Sequence, residues 1–356
     1  MATFNTTRLK ELTAYAIRGA GFNKLLELSS YMGIRVSDGI IYLNTTDGTN
    51  YLSVSDVCDA DDMDITVDAE LFSKLIGKLN SDTVDLDIVD NTLVIKGNGK
   101  YTLELVPDED GGLLSFPNKF PDKAEAIGTI PATDLVFIST AVKTSLGQVT
   151  GSVYSNYYFG DVVASTDKAM MSIFKHKLFD GAYLFNREFV DLLCMSGADV
   201  TVSKCDDMLL AESSISEKGY ICVCTKIQTN VNEFGIDNIN KFAALEVKSF
   251  CRVHKVELLA LLDRLALFVN KFDDGAIELH FTDNYIEVSS MANSGVERIE
   301  YQESKDAQDI TIKINIERLR NQLKAYSSDV VDLYYGSEIC IKLVDGDMTQ
   351  VIALIK

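Results

Sequence analysis

One pattern occurs twice in this chain, 247 residues apart, and it limits the possible folds more than any other feature. In the N-terminal copy, Ile65-Thr66-Val67-Asp68 leads into a helical pattern over 69–79. A strand pattern at 84–88, an Asp90-Asn91 turn and a second strand at 93–96 follow. In the C-terminal copy, Ile312-Lys313-Ile314-Asn315 leads into a helical pattern over 316–326. A strand at 331–335, a Gly336-Ser337 turn and a strand at 339–342 follow. The offset is 247 both from Asp68 to Asn315 and from Val84 to Val331. One offset holding at two landmarks is the mark of a repeated supersecondary unit. A looser copy lies between them: Leu184-Phe185-Asn186, a helical pattern over 187–195, and strands at 200–202 and 208–210. Asp68, Asn186 and Asn315 all suit a helix N-cap, because a short side-chain oxygen accepts the free N–H groups of the first turn.

Each copy is preceded by another helical pattern, over 7–19, 133–146 and 254–271. Between the two helices lie alternating strands such as Ile40-Ile41-Tyr42-Leu43, Val162-Val163-Ala164-Ser165 and Ile277-Glu278-Leu279-His280-Phe281. Short strands joined by tight Asx and Gly turns predict antiparallel sheet, and two helices per unit must cover one face of it. All four prolines, Pro107, Pro117, Pro121 and Pro131, fall in one 25-residue stretch, which predicts a linker. A second linker is expected in the Asn-rich stretch 228–240. The expected organisation is therefore an α+β chain of three repeated domains, 1–120, 121–243 and 244–356.

Charge is distributed unevenly over this pattern. The chain carries 33 Lys and Arg against 53 Asp and Glu, a net charge of -20, which excludes a uniformly basic nucleic-acid coat. The six predicted helices and their flanks nevertheless sum to +5, so everything else carries -25. Ile316, Leu319, Leu323 and Tyr326 form an apolar stripe that should pack on the sheet, leaving Arg320 and Lys324 to point elsewhere. Leu71, Leu75 and Leu79 suggest a similar stripe opposite Lys74 and Lys78. Helices often carry solvated Lys and Arg, but six helices of one repeat doing so in an acidic chain point to a local positive face. Screening over roughly 8 Å in physiological salt lets such a face act despite a distant acidic surface. It suits phosphate backbones and reads no sequence.

Catalytic and metal motifs find little support. Gly97-Asn98-Gly99-Lys100 lacks phosphate-loop spacing and reads as a turn between strands. In Asp59-Ala60-Asp61-Asp62-Met63-Asp64, Met63 falls where a calcium loop needs an oxygen, so a solvated acidic loop is expected. Cys222-Val223-Cys224 has no second pair to complete a zinc site. With three His in the chain, His176, His254 and His280, no cofactor or metal site is expected, and nothing suggests an enzyme. Seven Cys without paired framework spacing read as reduced thiols. Without an apolar secretory core at residues 1–10 or a run of about 18 apolar residues, a cytoplasmic protein is expected, with no membrane partner.

The chain as a whole resembles the bacterial-type DNA polymerase III beta sliding clamp. The likeness is carried by Gly33-Ile34-Arg35-Val36-Ser37-Asp38-Gly39 with Thr45-Thr46-Asp47, by Val163-Ala164-Ser165-Thr166-Asp167, by Ile314-Asn315-Ile316-Glu317-Arg318-Leu319, and by the terminal Val351-Ile352-Ala353-Leu354-Ile355-Lys356. The resemblance implies three domains per subunit, sheets outside and helices inside, forming half of a closed ring. A head-to-tail homodimer would encircle double-stranded DNA without reading its sequence and tether the polymerase as a processivity factor. It implies a DNA-facing set of Arg8, Lys10, Arg18 and Lys24, of Lys74 and Lys78, and of Arg264, Phe272, Arg318, Arg320 and Lys324. It implies a pocket for a short peptide of the polymerase and clamp loader at Tyr158, Thr166, Lys168, Ala169, Met170 and Met171, with Val351, Ile352, Ala353 and Leu354. It implies a dimer interface of Tyr101 and Leu103 facing Leu267 and Phe268. The sequence departs from the family where Lys168-Ala169-Met170 stands in place of Gly-His-Arg, and Leu354 in place of Pro. These departures fit a divergent clamp, of bacterial or phage origin. A repeat scaffold or phage structural protein without a ring is the alternative reading of the same repeats.

Overall fold

The structure of the chain, a computed structural model, describes residues 2–121, 123–269, 274–291 and 294–356. It begins with β1 (Ala2–Asn5), α1 (Thr6–Ala16), β2 (Tyr31–Ser37), β3 (Ile40–Thr46), β4 (Asn50–Val57) and β5 (Met63–Asp68). Next come α2 (Ala69–Lys78), β6 (Thr83–Val89), β7 (Thr92–Lys96), β8 (Lys100–Glu104), β9 (Glu125–Ile130) and α3 (Ala132–Thr140). The middle of the chain gives β10 (Asn156–Phe159), β11 (Val163–Thr166), β12 (Met170–Phe174), β13 (Tyr183–Asn186) and α4 (Arg187–Leu193). It continues through β14 (Val200–Cys205), β15 (Met208–Ser214), β16 (Tyr220–Lys226), α5 (Ile236–Ala243), β17 (Ser249–His254) and α6 (Lys255–Leu265). The last segment holds β18 (Ala276–Phe281), β19 (Tyr285–Ser290), β20 (Val296–Glu300), β21 (Glu303–Lys305), β22 (Ile310–Asn315) and α7 (Ile316–Lys324). It closes with β23 (Val330–Tyr335), β24 (Cys340–Asp345) and β25 (Met348–Ala353).

Two compact units share these elements, residues 1–135 with 188–227 and residues 136–187 with 228–356. The first holds a four-stranded sheet, β1-β6-β7-β8, and an eight-stranded one, β5-β2-β3-β4-β16-β15-β14-β9. The second holds a nine-stranded sheet, β13-β10-β11-β12-β25-β24-β23-β17-β21, and a four-stranded one, β20-β19-β18-β22. Every pairing between these strands is antiparallel. The chain is thus α+β with antiparallel sheets. The two long sheets are built alike: four strands from one stretch of sequence are joined edge to edge to a later set, of four strands in the first sheet and five in the second. The seams are β4–β16, with Leu52 opposite Val223, and β12–β25, with Met171 opposite Val351.

Local chemistry explains the helix starts. Asp68 Oδ1 accepts from Leu71 N at 2.7 Å, Asn315 Oδ1 from Arg318 N at 2.9 Å and Asn5 Oδ1 from Arg8 N at 3.0 Å. Each bond satisfies a first-turn donor that has no partner within its helix. In α7 the stripe of Ile316, Leu319, Leu323 and Tyr326 is buried, packed with Ile277, Leu279 and Phe281 of β18. Each such side chain contributes roughly 1.5–3 kcal/mol on burial.

The structure corrects three local expectations. In α2 the buried residues are Ala69, Phe72 and Ile76, whereas Leu71 is 53% exposed; the true stripe is offset from the predicted one by one position. The Asn-rich stretch taken as a linker forms a 3₁₀ turn over Val231–Phe234 and then α5, with Phe234 and Ile239 buried. The helical patterns 133–146 and 254–271 end early, at Thr140 and Leu265, and continue as 3₁₀ turns over Val142–Ser145 and Ala266–Phe268.

Candidate nucleic-acid interface and partner pocket

The helical cations fall into two groups. Arg8 on α1 is committed within its own unit: its guanidinium binds the Asp56 carboxylate of β4, Glu11 at 2.8 Å and Ser216 Oγ at 2.9 Å. Lys74 on α2 is bonded to Glu70 one turn earlier. Arg264 on α6 grips Glu297 of β20 through Nε and Nη2, and this bond holds the Glu297 carboxyl below its ordinary pKa. Arg320 on α7 bridges to Asp263 of α6 and to Glu317. Arg8, Arg264 and Arg320 thus tie their helices to other elements, whereas Lys74 stays 66% exposed with a pair inside its own helix. Lys10, Arg18, Lys24 and Lys78 in the first unit carry no ion pair among the described residues, and neither do Arg318 and Lys324 in the second. Arg18, Lys24, Lys78 and Lys324 are exposed, and Lys10 and Arg318 half-buried. Phe272 lies outside the described residues. Sequence reasoning missed the carboxylates Asp56, Asp263 and Glu297, because each comes from a different element than its partner.

Lys24 sits on a loop fastened by its own backbone. Phe22 N donates to Ser29 O, Leu26 N to Asn23 O, and Ser29 Oγ to Leu26 O. Lys10 lines a polar hollow of about 400 Å³ where the start of α1 meets residues 79–82 after α2. The unpaired cations of α1 and α2 thus lie on two helices that pack together in one unit.

The pocket residues come together in the second unit. The β12–β25 seam sets Met170 opposite Ile352 and Met171 opposite Val351, and Ala353 N donates to Ala169 O at 2.8 Å. Strand alternation then splits the methionines. Met171 joins Tyr158, Val351 and Phe234 in one buried cluster, whereas Met170 and Ile352 face the core beneath α6 and α7. Leu354 packs against that second core too. Thr166 is a buried turn-former: its hydroxyl donates to Met170 O at 2.7 Å and accepts from Lys168 N at 3.0 Å. Lys168 is exposed with φ +76°, and its ammonium lies 4.8 Å from the Tyr154 ring centroid. Tyr158 stacks on Phe234 at 5.3 Å, and burial followed by Asp161 and Asp237 pushes its phenol pKa up. Residues accessible here are Lys168, Ala169 and partly Tyr154, Val231 and Ile236. The last three were missed, hidden in polar stretches; the Val231, Phe234, Ile236, Ile239 spacing was the available signal.

The predicted interface residues divide in the same way. β8 is a free edge of its sheet, where Tyr101 is 38% exposed and Leu103 only 7%, packed into its own unit. In the other unit, Leu267 and Phe268 follow α6 and are 82% and 51% exposed, close to the edge strand β20 with its exposed Val296. Leu267, Phe268 and Val296 thus give apolar exposure beside the edge of a sheet.

No protein-family model matches the sequence, and no curated protein matches it either. Solved structures do match over its whole length. The DNA polymerase III subunit beta of Pseudomonas aeruginosa aligns with 100% of this chain and 99% of its own, at TM-score 0.85 and 15% identity. The DNA polymerase III beta chain of Streptococcus pneumoniae aligns with 100% of both chains, at TM-score 0.84 and 19% identity. The chain has the sliding-clamp fold. The beta subunit from Borrelia burgdorferi, solved with a natural product, gives TM-score 0.84 at 15% identity over 100% of this chain and 99% of its own. At these identities the likeness speaks for the sliding-clamp architecture. Among the described residues no helix is long and apolar enough to cross a membrane, and no group of three His, Cys, Asp or Glu side chains is placed to hold a metal.

Proposed function

We propose that this chain is a DNA sliding clamp, a non-enzymatic processivity factor that encircles duplex DNA as a head-to-tail homodimer and tethers a replicative polymerase. The observation that carries the reading is the end-to-end match of the fold to DNA polymerase III beta subunits. In this reading the chain divides into domains 1–120, 121–243 and 244–356, and three domains from each subunit complete the ring. Holding is topological, so DNA contacts need only be weak. Lys10, Arg18, Lys24, Lys78, Arg318 and Lys324 supply them, with Lys74 beside them, since the six carry no ion pair among the described residues and Lys74 only an exposed one within its helix; Arg8, Arg264 and Arg320 tie their helices to other elements. Charge contacts of this kind carry no sequence information, and the acidic remainder of the chain discourages DNA outside the ring. The subunits join through the β8 edge with Tyr101 and the surface of Leu267 and Phe268. The polymerase and the clamp loader dock by a short peptide against Tyr154, Lys168 and Ala169, over the Tyr158–Met171–Val351 cluster. The protein works in the bacterial cytoplasm or in a phage-infected host.

Light scattering coupled to size exclusion, with negative-stain imaging of the same peak, tests this. Twice the monomer mass and ring-shaped particles are expected. A monomer at micromolar concentration, or dimers without a central hole, would overturn it.

A further inference from the structure

A cleft in the first unit lies on the exposed face of its eight-stranded sheet. It measures about 830 Å³ and is lined by Arg35, Tyr42, Ser55, Tyr220 and Phe120, among others. Its place in the fold is informative, because the two long sheets share one turn bond for bond. The Thr46-Asp47 turn of the first has Thr46 Oγ1 donating to Asn50 O at 2.7 Å, and Asp47 Oδ1 accepting from Thr49 N and Asn50 N. The Thr166-Asp167 turn of the second has Thr166 Oγ1 donating to Met170 O at 2.7 Å, and Asp167 Oδ1 accepting from Ala169 N and Met170 N. Counting back from these turns, Asn44 pairs with Gly33 and Ala164 pairs with Tyr158, so Gly33 and Tyr158 are equivalent. A connector aromatic rests on each: Phe234 stacks on Tyr158, and Phe116 lies so close over Gly33 that a Cβ there would come within 2.3 Å of it. The cleft therefore occupies, beside the first connector, the position that the partner-peptide face occupies beside the second.

Its lining is not that of an ordinary solvated sheet face. Arg35, Tyr42, Ser55 and Tyr220 stand side by side across four strands. Arg35 is also paired in register with Asp64, yet the Asp64 carboxylate accepts from Ser115 Oγ at 2.7 Å and Arg35 has no ion pair among the described residues. An exposed guanidinium without an ion pair among the described residues, beside Tyr42 of the next strand, is a site for a ligand acid. The volume suits a few side chains rather than a whole domain. Asp38, Glu212 and Glu217, against Lys218, also stand among the lining residues and favour a basic neighbour on the same ligand.

We propose that this cleft is a second peptide-binding groove, taking an extended segment of a partner protein that sets a carboxylate on Arg35 and an aromatic or aliphatic side chain between Tyr42 and Tyr220. The proposal rests on the peptide-docking reading of the second unit, but not on ring closure. Panning a phage-displayed library of random dodecapeptides on the full chain tests it. Peptides pairing Asp or Glu with an apolar residue are expected, whose affinity falls about tenfold or more in Arg35→Glu and in Tyr220→Ala and is unchanged in Lys168→Glu. Both residues are exposed, so unaltered thermal unfolding should accompany the loss. Selected peptides that depend only on Lys168, or no peptide that depends on Arg35, would overturn the groove. Light scattering on the same samples reports ring assembly separately, so a failure of the clamp reading is told apart from a failure here.

Discussion

Arg320 and Lys324 are one turn apart on α7 and do opposite jobs. Arg320 is mostly buried and ties α7 to Asp263 of α6, whereas Lys324 is exposed and unpaired among the described residues. Arg320→Gln should therefore cost about 1 kcal/mol of stability, since its partners are themselves half solvated. Lys324→Gln should leave stability within about 0.5 kcal/mol but weaken DNA binding and flatten its salt dependence by roughly 0.9 in log–log slope. Urea melts and anisotropy on a DNA duplex separate the two; matching effects on both readouts would show that the division is wrong. Buried thiols give a pH prediction at the same scale. Cys224 is fully buried and its thiol donates to Lys119 O at 3.5 Å; burial, with Cys205 and Asp207 adding to it, pushes its pKa up to about 11. The folded state then keeps a proton that the unfolded state releases near the ordinary 9.0. Its stabilisation is complete below pH 9 and is lost as pH rises through about 11, at most roughly 2–3 kcal/mol. Urea midpoints from pH 8 to 11 should fall, and fall less in Cys224→Ala.

At the level of elements, association should be governed by exposed apolar residues at strand edges. Leu267→Asp puts a charge on the Leu267–Phe268 surface without touching the core, so the mass by light scattering should drop to that of the monomer while thermal unfolding stays unchanged. A persistent dimer would place the interface elsewhere. Leu103→Asp would be a poor test, because Leu103 packs into its own unit and its loss would unfold the edge. How far the sequence revealed these elements follows from how local their causes are. α7 was legible because its cap and its four-residue apolar stripe lie within twelve residues of each other. α2 was placed correctly but turned by one position, since Leu71-Phe72 and Leu75-Ile76 offer two adjacent apolar stripes, and only the packing partners choose Phe72 and Ile76. The 3₁₀ turn and α5 were hidden because Val231, Phe234, Ile236 and Ile239 are diluted by four Asn between 228 and 240. The ion pairs were beyond reach: Arg8 and Asp56, or Arg264 and Glu297, meet only after strands far apart in sequence have been assembled. In the pocket, Met170 and Met171 looked alike in sequence, and the strand register sends them to different cores.

On the scale of the whole molecule, a net charge of -20 sets two requirements against each other. An acidic protein that bound DNA only through a few cations would be released quickly by salt, since every neutralised phosphate returns a counterion to solution. A closed ring escapes that trade. Weak contacts then govern how the DNA tilts and slides, and release depends on opening the interface or running off an end. Two regimes are expected once the protein has been assembled on a nicked circular duplex. On the circle, retention through gel filtration should persist at about 0.5 M salt, where screening reaches only a few ångström. After a single cut by a restriction enzyme, the same complexes should be lost at the same salt. Charge reversal at Lys24 and Lys78 should change the salt sensitivity of the linear complex and leave retention on the circle almost untouched, because the hold on a circle comes from connectivity. Leu267→Asp should abolish retention on the circle by opening the ring. Equal salt sensitivity of circular and linear complexes would mean that the protein grips DNA by charge and does not enclose it.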